Sequence, residues 1–542
     1  MYCVDTDAGL LRDALGVPVP AGIGAGAVRE GAQALADLAV RWARRHAAVT
    51  AASFAHRYGL AEATAAQALA RLADAGTLVA GSFLPPGDDL PALVGDGRQY
   101  VHHTVLAVLK RRTLAGLRAQ VEPVAQRQFA RFLDAWQQLP GPDEPAGDDA
   151  ESVERLLTAV DALAGHRIPA SMLETVVLPA RVPGYRPALL DQLMGSGQVT
   201  WSGAGAIGAG DGWVRLWPAD LAPAAPPDGP EPDGRGGRAG LSGTARRVLE
   251  RLEAGGAWRS ADFVDAGTSA AAAQDALWEL VWAGLATSDG FGPLRELSVR
   301  GVVRRPRAGA ARRRLIRPRP ARAAAAPAGV RWSRVPAAED GPRGLLDQVD
   351  AELARYGVLT RGSALAEPAT GNYSQVYRLL STLEESGAVR RGYFVEGLGG
   401  AQFAVPGAVD ELRRAPAAPL RLLAACDPVN PYGAALEWPE TNAHRPARKA
   451  GALVVLDDGA PLLYLERGAH TLVTFDGVGP EALGRALSAV GAAVDAGRLP
   501  PVSIDRIDTR SALEAGPLRE ALEAAGFVQH PRGYRRRRTV RG

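Results

Sequence analysis

The residues best suited to chemistry fall into three groups. The first is Arg390-Arg-Gly-Tyr-Phe394, where two arginines could meet phosphates and two aromatics could stack on bases. Base–aromatic stacking contributes ~1–3 kcal/mol per base, and arginine beside it is the usual combination for single strands. In a strand, alternation sends one of Tyr393 and Phe394 into the core, so one surface aromatic is expected. By the same rule Arg390 and Arg391 face opposite sides. The inward one should pair with Glu384 or Glu385, leaving the outward one for a phosphate. The second group is Asn430-Pro-Tyr432 with Arg448 and Lys449, a tight turn and a strand start that a meander would gather on one face. The third is a pair of carboxylates, Asp427 and Glu396, which could stabilise a developing sugar cation or orient water in base excision. Asp427, followed by proline, is more often a turn or cap residue. The catalytic group, if there is one, stays open at this level.

Other chemistries find little support. His102-His103 has no third ligand at a recognisable spacing, and Cys3 and Cys426 cannot build a disulfide framework or a four-thiolate zinc site. No cofactor is expected. A nucleotide-binding loop needs Gly-Lys-Ser/Thr, but Lys110 follows Leu109 and Lys449 follows Arg448, so ATP and Mg have no seat in this sequence. Gly203-Ala-Gly-Ala-Ile-Gly208 matches a dinucleotide fingerprint by letters alone and reads as a glycine-rich wing loop. No apolar run approaches the ~20 residues of a membrane span. The first residues carry acids where a secretory signal carries basic ones, so a reduced, cytoplasmic protein on the nucleoid is expected, with no membrane partner. The net charge of +3 hides clusters: nine arginines between Arg304 and Arg322, and six between Arg532 and Arg541. Such runs stay solvated and often serve as arms on nucleic acid.

The elements that would position these residues recur. Four segments share one pattern: Ala68–Gly76, Leu189–Gly197, Leu277–Gly284 and Leu379–Gly387. Each is amphipathic with apolar residues at i, i+3 and i+4, stops at a glycine suited to a left-handed cap, and runs into a short β-branched or aromatic strand. Capping threonines, Thr50 and Thr360, open a further short helix upstream of the first and fourth. Helix, turn, helix, glycine and hairpin is the winged-helix layout. Any one copy could be scaffold that touches no DNA. The expected fold is α+β, a tandem array of winged-helix domains followed by a C-terminal β-barrel-like module. The boundaries are 1–95, 96–220 with a helical insertion, a Pro/Gly linker 221–240, 241–300, an Arg/Pro-rich linker 301–340, 341–415, and a sheet-centred module with a basic tail over 416–542.

Several stretches resemble the large helicase-related (Lhr) family: Arg390–Phe403, Asp427–Gly433, His444–Leu453, Lys110–Pro123, Phe132–Trp136, Leu178–Arg186 and Leu277–Thr287. The resemblance runs from end to end and covers the non-motor C-terminal region. It implies an ATP-dependent 3′–5′ DNA helicase or translocase of DNA repair as the parent, with the motor in cis or trans. It also implies DNA, single-stranded or damaged, as partner, and homo-oligomerisation. Lacking the motor, the chain would be a fragment, a split gene product or a separate C-terminal piece. The same region is similar to winged-helix glycosylases, so excision of uracil or another altered base is the second reading. Their Gln-apolar-Gln/Asp motif has only Gln402-Phe-Ala404 as its nearest string. A multi-winged-helix transcription regulator is the third.

Overall fold

The computed structural model describes residues 7–83 without Ala25, 98–119, 122–221 without Asp143 and Ala209, 240–303, 329–336, 342–367, and 372–538 without Gly400, Ala515 and Pro517. Most of the Pro/Gly linker and the arginine-rich stretch 304–328 lie outside the described residues. The chain divides into two compact units, residues 1–121 and 122–542.

Each repeated segment forms the helix and turn its pattern dictates. The four helices are Glu62–Asp74, Pro187–Gly195, Ala270–Trp282 and Tyr373–Ser386. The glycines that end them, Gly76, Gly197, Gly284 and Gly387, sit at φ of 72°, 75°, 73° and 83°, the left-handed region that only glycine enters cheaply. In each, the next residue's amide reaches back to the helix, as Thr77 to the Leu72 carbonyl and Ala388 to that of Leu383, both 2.9 Å. This closure satisfies carbonyls that the helix end leaves open and turns the chain into the wing strand. Helix starts are equally local: Thr50, Ser242, Ser269, Thr360 and Asn372 accept backbone amides with their side chains. Each such cap contributes ~1 kcal/mol.

The first winged helix closes a sheet in the order Val49–Thr50, Gln99–His102, Leu78–Gly81. Its second wing strand therefore reaches His102, past the expected boundary at 95, because Tyr100 and Val101 complete the core.

In the second unit three further winged helices are present. The first of them combines helix Asp149–Leu163 with strands Ile168–Pro169, Gly212–Pro218 and Val199–Ala206. The glycine-rich string 203–208 lies at the tip of this hairpin. The next pairs Ala286–Ser288 with Trp332–Arg334, so one of its wing strands falls inside the expected linker 301–340. Trp332 is fully buried, which is why this strand belongs to the core rather than to a solvated connection. The fourth winged helix orders Arg390–Gly392, Gln402–Ala404 and Val358–Leu359 in one sheet.

The helix Gln126–Trp136, expected as an insertion in the second winged helix, packs instead on helices Ala408–Arg414 and Pro342–Tyr356 of the fourth. Gln128 donates to the Leu412 and Ala415 carbonyls, Trp136 Nε1 donates to Ala354, and Arg127 and Arg131 pair with Asp458 of the last module.

That last module is a six-stranded sheet in the order Arg421–Ala424, Leu453–Asp457, Ala460–Leu465, Thr471–Thr474, Arg506–Ile507, Arg510–Ser511. Helix Pro480–Asp495 leads to its one parallel pairing, between Thr471–Leu472 and Arg506–Ile507. The first and last strands do not pair with each other, so among the described residues this is an open sheet, not the expected barrel. The basic tail is no free arm through Arg536. Gly533–Arg536 is the central strand of a second sheet, between Val502–Ile504 and Val528–His530.

The second and third winged helices share a close seam. Trp201 Nε1 donates to the Ser288 carbonyl at 3.0 Å, and Thr287 Oγ1 donates to the Trp201 carbonyl at 2.6 Å. A β-carbon at Gly203 would stand 2.0 Å from the Val281 carbonyl oxygen, and one at Gly212 would stand 2.2 Å from the Trp282 ring. Since backbone cannot swing aside, Gly203→Ala should force the seam apart and cost about 1–3 kcal/mol. Thermal unfolding should show a lowered Tm, and an unchanged Tm would mean the seam is looser than it stands.

Candidate nucleic-acid interface

A winged helix reads DNA through its second helix, so whatever already covers that helix decides whether it is available. In the third winged helix, Ala270–Trp282 is covered by the wing of the second through Gly203 and Gly212. In the second, Asp191 on Pro187–Gly195 is held by Arg295, which also grips Glu174. The principal packing partners of Tyr373–Ser386 belong to the fourth winged helix itself, leaving an outer face uncovered.

Along the margin of that face four side chains form a ladder. The Arg361 guanidinium lies over the Tyr373 ring at 5.6 Å, and Tyr373 and Tyr377 have centroids 6.2 Å apart with planes tilted 49°. Arg391 lies over Tyr377 at 5.2 Å and reaches Phe403 at 5.8 Å. Tyr373 and Tyr377 are one turn apart on the helix, hence neighbours by geometry. Val376 and Leu380 are buried and share the i, i+3, i+4, i+7 stripe with the two tyrosines, so both rings lie half-buried along the margin of the helix's inward side, Tyr377 edge-on to the buried Phe403. The exposed Arg378 lies on the same helix. Neither tyrosine was singled out from the sequence, although the spacing Tyr-x-x-x-Tyr near a helix start was the available signal.

The wing residues divide as alternation requires. Tyr393 is 40% exposed, with its hydroxyl accepting from the Gly397 amide at 2.8 Å, whereas Phe394 is 1% exposed. Phe394 therefore leaves the list of base-stacking residues: it fills the space over Gly392 in the core. Arg390 is exposed and Arg391 half-buried. The inward arginine is stabilised by the Tyr377 and Phe403 rings rather than by the expected Glu384 or Glu385.

The second expected group does come together, but inside the protein. Asn430 is 1% exposed and bridges the Ala425 carbonyl and the Tyr432 amide, closing the turn on itself. The buried Tyr432 donates to the Gly459 carbonyl and stacks on Trp438. Arg448 donates to the carbonyls of Cys426, Asp427 and Asn430, so it clamps this loop instead of meeting a phosphate. Lys449 alone of the group is exposed. Burial thus removes Asn430 and Tyr432 from a DNA-facing surface, and the half-buried Arg448 is committed to the loop carbonyls.

The carboxylates differ in the same way. Asp427 is fully buried, with two 2.8 Å hydrogen bonds from Arg181 and one from the Val429 amide at 2.9 Å. Burial pushes its carboxyl up, but the Arg181 guanidinium and these hydrogen bonds outweigh that and hold it below the ordinary range. A carboxylate locked this way can neither donate a proton nor reach a sugar, so Asp427 is structural. Glu396 is exposed in the wing loop, its amide bonded to the Val124 carbonyl at 2.9 Å.

A second buried group adjoins this pair. His166 places Nδ1 2.9 Å from Glu367 and Nε2 3.0 Å from the Cys426 carbonyl. Arg355 and Tyr356 also donate to Glu367, both at 2.8 Å. Burial raises the Glu367 carboxyl, yet Arg355 and His166 more than reverse this and leave it far below the usual carboxylate value. Second winged helix, fourth winged helix and last module are joined here. Among the described residues no cluster of three or more His, Cys, Asp or Glu could hold a metal. Nor, among them, is any helix long and apolar enough to cross a membrane.

Fold and face together define a multi-winged-helix protein of the DNA-binding kind, in which the reading helix of the fourth winged helix keeps an uncovered face bordered by arginine and tyrosine. Residues 124–219 and 338–421 each match the winged-helix domain of the large helicase-related protein. Over 98% of its length the chain is 42% identical to a Lhr helicase/probable uracil glycosylase of Mycolicibacterium smegmatis. Over 88% it is 34% identical to a Lhr helicase/uracil glycosylase of Escherichia coli. It spans 36% and 32% of those two proteins, about a third of their length. The chain belongs to the large helicase-related family, as its non-motor, winged-helix region.

Proposed function

We propose that this chain is the DNA-gripping and assembly part of an ATP-dependent 3′–5′ helicase of DNA repair, and that it holds single strands on the fourth winged helix while a motor elsewhere moves them. The observation that carries this is the Arg361–Tyr373–Tyr377–Arg391 ladder bordering the uncovered face of this reading helix. Rings that stack on one another or under arginine can open to take unpaired bases, which a duplex keeps stacked within itself. The arginines supply phosphate contacts without sequence preference. The test is fluorescence anisotropy of the chain with single-stranded and duplex oligonucleotides of several sequences. Single strands should bind more tightly, with little sequence preference. Affinity for the single strand should fall by a factor of about 300 between about 50 and 200 mM salt if roughly six phosphates are contacted. Equal binding of duplex, or a flat salt dependence, would remove the proposal. Assembly into a homo-oligomer is checked by light scattering.

Base excision is the second reading, favoured by the uracil glycosylase in the printed names of both relatives. Of the two carboxylates considered for it, Glu396 alone remains accessible. Alkali cleavage of uracil-containing strands after incubation with the chain, absent with Glu396→Gln, would support it.

A further inference from the structure

The C-terminal module carries an arginine cluster that the ladder does not use. Helix Pro480–Asp495 ends with the same glycine closure as the reading helices: Gly497 sits at φ 73°, its amide meets the Val494 carbonyl, and the Arg498 amide meets that of Ala493. The carbonyls at this end are therefore largely engaged by backbone. Asp495 and the Gly526 carbonyl take the Arg536 guanidinium. Just beyond, the strand pairing of Val502 with Arg536 carries the tail back over the helix end. The Arg538 guanidinium lies 3.4 Å from where a β-carbon at Gly497 would stand. Arg498 is half-buried beside it and Arg537 is exposed.

Among the described residues, neither Arg498 nor Arg538 has a side-chain hydrogen bond or a carboxylate partner. Burial pulls the Arg498 guanidinium down from its ordinary value, and no acid offsets the loss. A partly desolvated guanidinium is costly to leave without an anion. A neighbouring carbonyl end favours cations only weakly at a surface, where water and salt screen it. The cost points to an anion from outside the chain.

We propose that Arg498, Arg537 and Arg538 form a second contact for a nucleic-acid strand, one that grips phosphodiester oxygens and ignores bases. Guanidinium forks match the paired non-bridging oxygens of a phosphodiester. This reading rests on the chain being a DNA-binding protein but not on the ladder, so the two can fail separately. It turns a grip at one winged helix into a strand held at two points.

The test uses the full chain and two single-stranded probes of equal length, an oligothymidine and a sugar–phosphate strand made entirely of abasic sites, followed by anisotropy over a salt series. Arg498→Ala/Arg538→Ala should weaken abasic-strand binding about tenfold at low salt and flatten the log–log salt slope by about 1.4, roughly 0.7 per contact on a single strand. Tyr373→Ala/Tyr377→Ala should weaken only oligothymidine. Arg537→Ala/Arg538→Ala, both at the chain's exposed end, repeats the slope measurement in case the Arg498 variant folds poorly. An unchanged abasic slope in both arginine variants overturns the proposal, as does polyglutamate binding as tightly as the abasic strand. Loss on abasic probes with no loss for the tyrosine variant would sink the ladder and leave this site standing.

Discussion

Asp427→Ala is expected to cost about 3–5 kcal/mol, a large part of the stability of an ordinary domain. The reason lies with what it leaves behind. Arg181 is 2% exposed, and among the described residues its partners apart from Asp427 are the Val177 carbonyl and the Gln137 amide oxygen. An unpaired guanidinium would then sit in the interior, between the second winged helix and the last module. Removing both charges together, as Arg181→Met/Asp427→Leu, should recover much of the loss, since packed apolar groups can replace a buried pair. Denaturant titration of the three proteins decides it; a mild single variant would mean that water reaches the pair. The same junction should respond to acid. Glu367 and Asp427 both have folded-state values held below their unfolded ones. The stability they contribute is therefore complete above about pH 4.3, the ordinary carboxylate value, and drains away as pH falls through the lower folded values. Unfolding below about pH 4 should begin at this junction.

The second large effect is on binding. Tyr373→Ala/Tyr377→Ala should weaken single-strand binding at least about thirtyfold, from ~1–3 kcal/mol for each stacked base. Both rings are half-buried, and Tyr377 also packs edge-on to Phe403 and under Arg391, so Tm should fall too and binding is compared at a temperature where the variant is folded. Tyr→Phe at both positions keeps the rings and should retain most of the affinity. Losing affinity in both variants would assign the effect to the hydroxyls, and losing it in neither would make the face bare scaffold.

What the sequence disclosed, and what it hid, follows distance along the chain. Gly76, Gly197, Gly284 and Gly387 announced four helix ends because a cap is decided within six residues. Alternation separated Tyr393 from Phe394 for the same reason. Asp427 was read as a possible acid because its partner, Arg181, lies 246 residues away. The wing strand Trp332–Arg334 was placed in a linker because its mate, Ala286–Ser288, stands on the far side of an arginine-rich stretch. Helix Gln126–Trp136 showed an apolar face but not what it would cover. The ladder was missed because half-exposed tyrosines look like any others until Arg361 and Arg391 are seen over them. An open sheet and a closed barrel share the same strand signals, so only the unpaired first and last strands tell them apart.

In the proposed function the array divides its labour, with the fourth winged helix holding DNA and the third serving as scaffold. Hydrogen–deuterium exchange of the full chain, with and without a single-stranded oligonucleotide, tests this directly. Protection should appear over residues 373–393 on adding DNA. Residues 270–282, already covered by the neighbouring wing, should exchange slowly and identically in both states. New protection over 270–282 with none over 373–393 would contradict the account.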